Sequence, residues 1–293
     1  MTKSFKIMTD SGADFDLDYM KKHNIILIPT RIMIDEVEYI DRENITKEEI
    51  IDKMINDKAK TSTSVAPPAE FHRIISEALE NNEKVLYIAI SSKMSATYQN
   101  GVLTAKKIKP ENFIAIDTGT VSWGMTLLID HAVIRREQGI PVEQVVEEIE
   151  EMMNNLKLFF MVDTLEYLRR GGRIGAAKSL LGKLINAKPV LALEDGEIVP
   201  AHTAKGTDAG YEYFIEKIRK YSEEYENYVL ALIYGVDHPE FQEFGNRIKK
   251  EFKPMKLIYG ELGANIISHA GPYLDGFGIM KIPDSAIEAY KTK

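Results

Sequence analysis

The sequence predicts an α/β chain of two domains: a parallel three-layer α/β/α domain over residues 1–155 and a mixed-sheet two-layer α/β domain over residues 156–293. Three observations predict it. Short apolar runs alternate with helical patterns through the first half, the rhythm of a parallel sheet with crossover helices on both faces. An amphipathic helical pattern after Pro141 runs out at Asn154-Asn155. Beyond it the chain changes to closely spaced strand-like runs with few helices, as in a mixed sheet covered on one face.

Residues 5–8, 25–28, 85–90 and 113–116 are apolar runs too short for helices and read as four strands. Each runs into small polar residues: Thr9-Asp10-Ser11-Gly12, Pro29-Thr30, Ser91-Ser92 and Asp117-Thr118-Gly119-Thr120. Phe15 and Leu17, set among Asp14, Asp16 and Asp18, read as the opening of a helix. Residues 30–34 and 37–40, about Asp35-Glu36, read as an appended hairpin. Thr46 with Glu49 makes a capping box that opens a helix to about residue 56, and Pro68 suits the first turn of another. After Pro141, the apolar residues Val142, Val145, Val146, Ile149, Met152 and Met153 recur at helical spacing and predict a core-facing helix.

In the second half, residues 157–162, 189–193, 197–202, 228–234, 255–259 and 277–282 read as strands, with Glu194-Asp195-Gly196 a hairpin turn. Helices are expected over about 207–223 and 239–251. Residues 168–175, LRRGGRIG, read as a helix C-terminus: glycine stops it, and Arg169, Arg170 and Arg173 suit the dipole. Residues 265–267 read as strand-like, with His269 in a tight turn beside Gly271.

The chain has 293 residues, 44% hydrophobic and 28% charged, which suits two cored domains. Lys plus Arg is 37 and Asp plus Glu is 45, a net charge of −8 that argues against a binder of nucleic-acid backbone. The absence of cysteine removes disulfides and thiolate chemistry, and no two histidines have metal-ligand spacing, so no metal is expected. The opening MTKSFKIMTD carries charge where a secretory signal is apolar, and no uncharged apolar run approaches the ~18 residues of a spanning helix. A cytoplasmic protein, not integral to a membrane, is expected.

Ligands of open parallel sheets bind beyond the carboxyl ends of the strands, where three of the four polar clusters are rich in hydroxyls. Thr61-Ser62-Thr63-Ser64, before Pro67-Pro68, adds more. Such residues also cap helices and make turns. However, Ser91, Ser92, Ser95 and Thr97 fall within seven residues, more than one helix start requires. Asp117-Thr118-Gly119-Thr120 matches the aspartic-protease tetrapeptide, but occurs once where that chemistry needs two carboxylates. Asp14, Asp16 and Asp18 lack the glycine and glutamate of a calcium loop, and the serine-elbow, P-loop and dinucleotide motifs are missing. The residues alone leave open a ligand-holding protein and a Ser/His hydrolase using Ser95 or Ser11 with His269 and Asp10.

Taken together, these segments resemble the DegV family of bacterial fatty-acid-binding proteins. MTDSGADF (8–15), TSVAPPAEF (63–71), SSKMSATYQ (91–99), DTLEYLRRGGRIG (163–175) and HAG (269–271) occur in the family's order, and the resemblance spans residues 5–281. It implies a parallel α/β/α domain, a mixed six-stranded domain, and one long-chain fatty acid, such as palmitate or oleate, in an apolar tunnel between them. The resemblance implies that Thr63 and Ser95 hold the carboxyl group, with His269 and Arg173 close by; Ser64, Ser11 and Thr97 are supporting candidates. No catalytic residue and no cofactor are expected. It further implies presentation of the acid to a dihydroxyacetone-kinase-like fatty acid kinase, in the service of phospholipid synthesis, with at most transient contact with a membrane surface. A lipid-sensing adaptor without a kinase is the alternative.

The chain departs from the family pattern at Val65, where glutamine is usual, at Ala96 for glycine and at Met94 for leucine. Tyr273, Leu274 and Asp275 stand in a turn expected to be richer in glycine, and the segment around Lys205 lacks the Arg-Thr pair of kinase-coupled members. Energetically, burying some 15 methylenes at ~0.8 kcal/mol each gives about 12 kcal/mol gross. Association costs of about 4–15 kcal/mol reduce this to reversible binding.

Overall fold

The computed structural model describes residues 5–182 and 187–291. The first half runs β1 (Lys6–Asp10), α1 (Leu17–Lys22), β2 (Ile25–Ile28), β3 (Arg31–Ile34), β4 (Val37–Ile40), α2 (Lys47–Ile55), β5 (Thr61–Ser64), α3 (Pro68–Ala78), β6 (Val85–Ala89), α4 (Thr97–Ala105), β7 (Phe113–Asp117), α5 (Trp123–Glu137) and α6 (Val142–Asn154). Four strands form a parallel sheet in the order β2-β1-β6-β7. Every residue of β6 is buried, which is why it reads as a continuous apolar run rather than an alternation. Its faces are distinct: Met8 and Tyr87 pack with Phe71 and Ile75 of α3, whereas Ile7 and Ile88 join the core that contains α5. The Thr46–Glu49 capping box is present in both arms at the start of α2.

Strand β5 and helix α5 have no counterpart among the expected elements. The hydroxyl-rich Thr61–Ser64 segment is strand β5, paired antiparallel to β3 in a three-stranded sheet of order β4-β3-β5. Its β-branched threonines, Thr61 and Thr63, are half-buried while Ser62 and Ser64 are exposed, a pleated alternation that suits a strand. Helix α5 has no apolar stripe because residues 124–135 are all buried. It lies against β1 and β6 on one side and against the second sheet on the other.

The second half runs β8 (Leu156–Val162), α7 (Glu166–Arg170), a 3-10 helix (Gly175–Leu180), β9 (Lys188–Glu194), β10 (Glu197–Ala204), α8 (Thr207–Tyr225), β11 (Tyr228–Tyr234), α9 (Pro239–Glu251), β12 (Lys256–Glu261), α10 (Ala264–Ala270), β13 (Leu274–Lys281) and α11 (Ile287–Lys291). Six strands form a mixed sheet, β10-β9-β8-β13-β11-β12, in which only β11 and β12 pair in parallel. Phe159, Met161 and Phe277 turn to one face and pack with Phe214 of α8 and Phe244 of α9. Leu158, Phe160 and Val162 turn to the other, in the core shared with α5. Thus the second sheet has its own helices on one face, and α5 closes the other.

Residues 265–267 are not strand-like; they lie in α10. Ala264, Ile267 and Ser268 are buried at i, i+3 and i+4, and the Ser268 hydroxyl donates to the Ala264 carbonyl at 2.8 Å. Gly271 ends the helix at φ +86. The chain then returns to the first half. Tyr290 Oη lies 3.1 Å from His131 Nδ1, and the Ser285 hydroxyl donates to Glu148 at 2.7 Å. Glu148 also takes two 2.8 Å bonds from Arg135. Burial opposes ionisation of Glu148, but hydrogen bonds from His131, Arg135 and Ser285 prevail and hold its pKa at about 2. Among the described residues, no helix is long and apolar enough to cross a membrane.

Candidate functional site

A cavity of about 190 Å³ lies where the loops beyond the first sheet's strands meet the inner face of the second sheet. That exceeds the ~150 Å³ of an apolar cavity that accepts a benzene-sized guest. Its walls are mainly apolar: Val65 follows β5, Met94 precedes α4, Leu158 and Phe160 come from β8, Ile233 from β11 and Ile266 from α10.

Six of the seven predicted site residues, Thr63, Ser64, Ser95, Thr97, Arg173 and His269, line this cavity. The pleat of β5 turns Thr63 inward, where its hydroxyl lies 2.7 Å from Nε2 of His269 in the last turn of α10. Nδ1 of His269 is buried and has no partner among the described residues. Burial, and then the charge of Arg173, lower the imidazole pKa to about 4, so the ring is neutral at pH 7. Arg173 follows the Gly171-Gly172 pair. Its Nε donates to the Met94 carbonyl at 3.0 Å and its Nη1 to the Gly171 carbonyl at 2.6 Å. Burial lowers the guanidinium pKa.

Ser95 lies one residue beyond Met94. Its hydroxyl is 2.7 Å from the Thr97 hydroxyl and accepts from the Thr97 amide at 3.3 Å. It therefore serves the start of α4 as well as the cavity wall. Arg173 links the two hydroxyl groups of residues: it bonds beside Ser95 and acts electrostatically on the His269 ring that Thr63 holds.

Ser11 is not on the wall. It is fully buried and its hydroxyl accepts the Thr30 amide at 3.0 Å. The Thr30 hydroxyl donates to Asn265 Oδ1 at 3.0 Å, and the Asn265 amide returns a 3.0 Å bond to the Ser11 carbonyl. This circuit fastens α10, and hence His269, to the end of β1. Asn265, Thr30, Ser122 and Asp10 also line the cavity. The strand-like reading of 265–267 hid Asn265, and nothing in sequence distinguishes Thr30 from a turn residue. Asp10 accepts bonds from the Gly12 and Ile90 amides and from Tyr87, but complete burial outweighs them and raises its pKa to about 6.

The geometry bears on the hydrolase alternative. Among the described residues, His269 bonds neither Ser95 nor Ser11, and no carboxylate contacts its Nδ1. A nucleophile–base–carboxylate relay is not assembled. No group of three or more His, Cys, Asp or Glu side chains among the described residues could hold a metal ion.

Fold and site together define a two-domain α/β protein with a mainly apolar cavity and polar side chains set into its wall. The chain belongs to the DegV family: the family model described as "Uncharacterised protein, DegV family" matches residues 4–282. A solved structure, reported as fatty acid binding of a DegV family protein from Thermus thermophilus, is 31% identical with a TM-score of 0.89, covering 95% of this chain and 100% of that one. A stearic acid-binding protein from Eubacterium ventriosum has a TM-score of 0.87 at 25% identity, covering 99% of this chain and 100% of that one. A Thermotoga maritima protein named fatty acid-binding protein is 29% identical over 282 residues, 94% of this chain and 96% of its own.

Proposed function

We propose that this protein binds one long-chain fatty acid in the cavity, with Thr63 and Ser95 holding the carboxyl group and His269 and Arg173 beside it. The observation that carries this is the joining of an apolar cavity to the Thr63–His269–Arg173 group, in a family whose relatives are named for fatty acid binding. A carboxylate taken out of water must be hydrogen-bonded or it costs several kcal/mol. Rotatable hydroxyls and a guanidinium supply donors, and the Thr63–His269 pair has no carboxylate at Nδ1 to complete a catalytic relay. Ser64 and Thr97 support from the wall. The cavity is then the join of two domains dividing at 155/156, a division supported by the end of α6 at Asn154 and the start of β8 at Leu156.

The finer reading is a cytoplasmic carrier that presents the acid to a fatty acid kinase of the dihydroxyacetone-kinase-like type, ahead of phospholipid synthesis. It rests on the motif resemblance. Native mass spectrometry of the purified protein tests binding, with palmitate and oleate added where it is apo. An adduct of about one fatty acid per chain is expected, and a mass unchanged by either acid would end the reading. Thr63→Ala with Ser95→Ala is expected to weaken retention tenfold or more; unchanged affinity would remove these residues from the site. A kinase reconstituted with loaded protein tests presentation, and no acyl phosphate there would leave binding without it.

A further inference from the structure

Two glycines follow α7, and a helix stop accounts for only one of them. Gly172 has φ +72, with open space where a side chain would project. Gly171 has φ −72 and ψ −8, ordinary right-handed backbone in which alanine is the better residue. What forbids alanine there lies outside the helix. A Cβ on Gly171 would stand 2.2 Å from Nδ1 and 3.1 Å from Cε1 of His269. On its other side, the Gly171 carbonyl takes the 2.6 Å bond from Arg173 Nη1. One residue therefore touches both the imidazole and the guanidinium of the cavity wall.

We propose that Gly171 is a positioning residue for the carboxylate site: its bare Cα seats the His269 ring against Thr63 while its carbonyl fixes Arg173 relative to that ring. The ring has one hydrogen bond, at Nε2; Nδ1 has none among the described residues. Contact with the glycine is thus what limits the ring on the Nδ1 side. The functional half of the proposal rests on the fatty-acid reading, while the positional half does not.

Two readouts separate those halves. The first is the NMR titration of His269, one of six histidines, assigned by its loss in His269→Ala. Gly171→Ala displaces the ring from this seat and from its contact with Thr63, so its titration moves from about 4. Gly172→Ala strains the backbone at positive φ without meeting the ring and leaves that titration in place. The second readout is oleate affinity, expected to fall tenfold or more in Gly171→Ala but to differ less than twofold between His269→Ala and Gly171→Ala/His269→Ala. An unmoved His269 titration in folded Gly171→Ala overturns the proposal, as does an equal shift in Gly172→Ala. A moved titration with unchanged oleate affinity upholds the positioning and removes His269 from the carboxylate site. Where Gly171→Ala fails to fold, recovery of folding in the double variant supports the proposal, and failure of the double variant overturns it.

Discussion

Replacing His269 by glutamine tests whether the ring facing the cavity is neutral, on which the chemistry of the site depends. In the folded chain burial and Arg173 lower the imidazole pKa to about 4, against 6.5 when free. The unfolded chain therefore takes up a proton near pH 6.5 that the folded chain refuses until about pH 4. The folded pKa is depressed, so this contribution to stability is fully present above 6.5 and is lost as pH falls toward 4. At ~1.4 kcal/mol per unit, the loss is about 2 kcal/mol by pH 5. Asp10 and Asp14 act in the opposite direction. Burial raises both from 3.8 to about 6, so their contribution is present below 3.8 and is lost as pH rises through about 6. The wild-type profile is a sum of such parts, and only a difference between variants isolates one of them. Glutamine keeps a donor within reach of Thr63 but cannot take up the proton. Urea unfolding at pH 7 and pH 5 should give the wild type about 2 kcal/mol more loss than His269→Gln. Parallel behaviour of the two proteins would mean that the ring ionises freely, and the neutral site described above would be wrong.

Two further outcomes follow from packing. Glu148→Ala leaves Arg135 buried without its bidentate partner and releases His131 and Ser285. Urea denaturation should report a loss of about 3–5 kcal/mol, with earlier proteolytic cutting near residues 284–291; a loss under ~1 kcal/mol would refute the role assigned to this group. Gly260→Ala places a Cβ 2.1–2.5 Å from the ring of Trp123, whose indole donates to the Glu261 carbonyl at 2.9 Å. Since Trp123 is the sole tryptophan, its emission should shift as stability falls by about 1–3 kcal/mol, and neither changing would refute the contact.

Much of the fold was legible because local signals and burial agree. β2, β11 and α9 fall where apolar runs and the Pro239 start place them, and α2 begins at its capping box. The exceptions have physical causes. α5 is buried on every side, so it lacks the polar face that makes a helical period visible. α10 is seven residues long, and its Asn-Ile-Ile run favours a strand until the Asn265 circuit and the Ser268 back-bond hold it helical. Within the site, hydroxyl density marked the segments 61–64 and 91–97, and the family resemblance singled out Thr63 and Ser95 in them; both lie on the cavity wall with Thr97, whereas Ser91 and Ser92 do not. Ser11, a supporting candidate, instead ties α10 to β1, because a hydroxyl's partner is set by tertiary contact and leaves no trace in the local sequence.

On the fatty-acid reading proposed above, a charged head must be received by a largely apolar cavity. A site preformed from bare opposite charges would be costly while empty, since each buried ion needs its partner. Here Arg173 is held by the carbonyls of Met94 and Gly171, and the imidazole is neutral against Thr63. Apart from Nδ1 of His269, these groups are therefore met within the protein. Under the function proposed above, a carboxylate would bring the missing charge with it, and the hydroxyls of Thr63 and Ser95 would turn from their present neighbours to donate toward it. Were His269 protonated instead, the wall would hold two cations side by side, a repulsion that the folded chain avoids by keeping the ring neutral. The difference between wild type and His269→Gln at pH 5 decides between those two states.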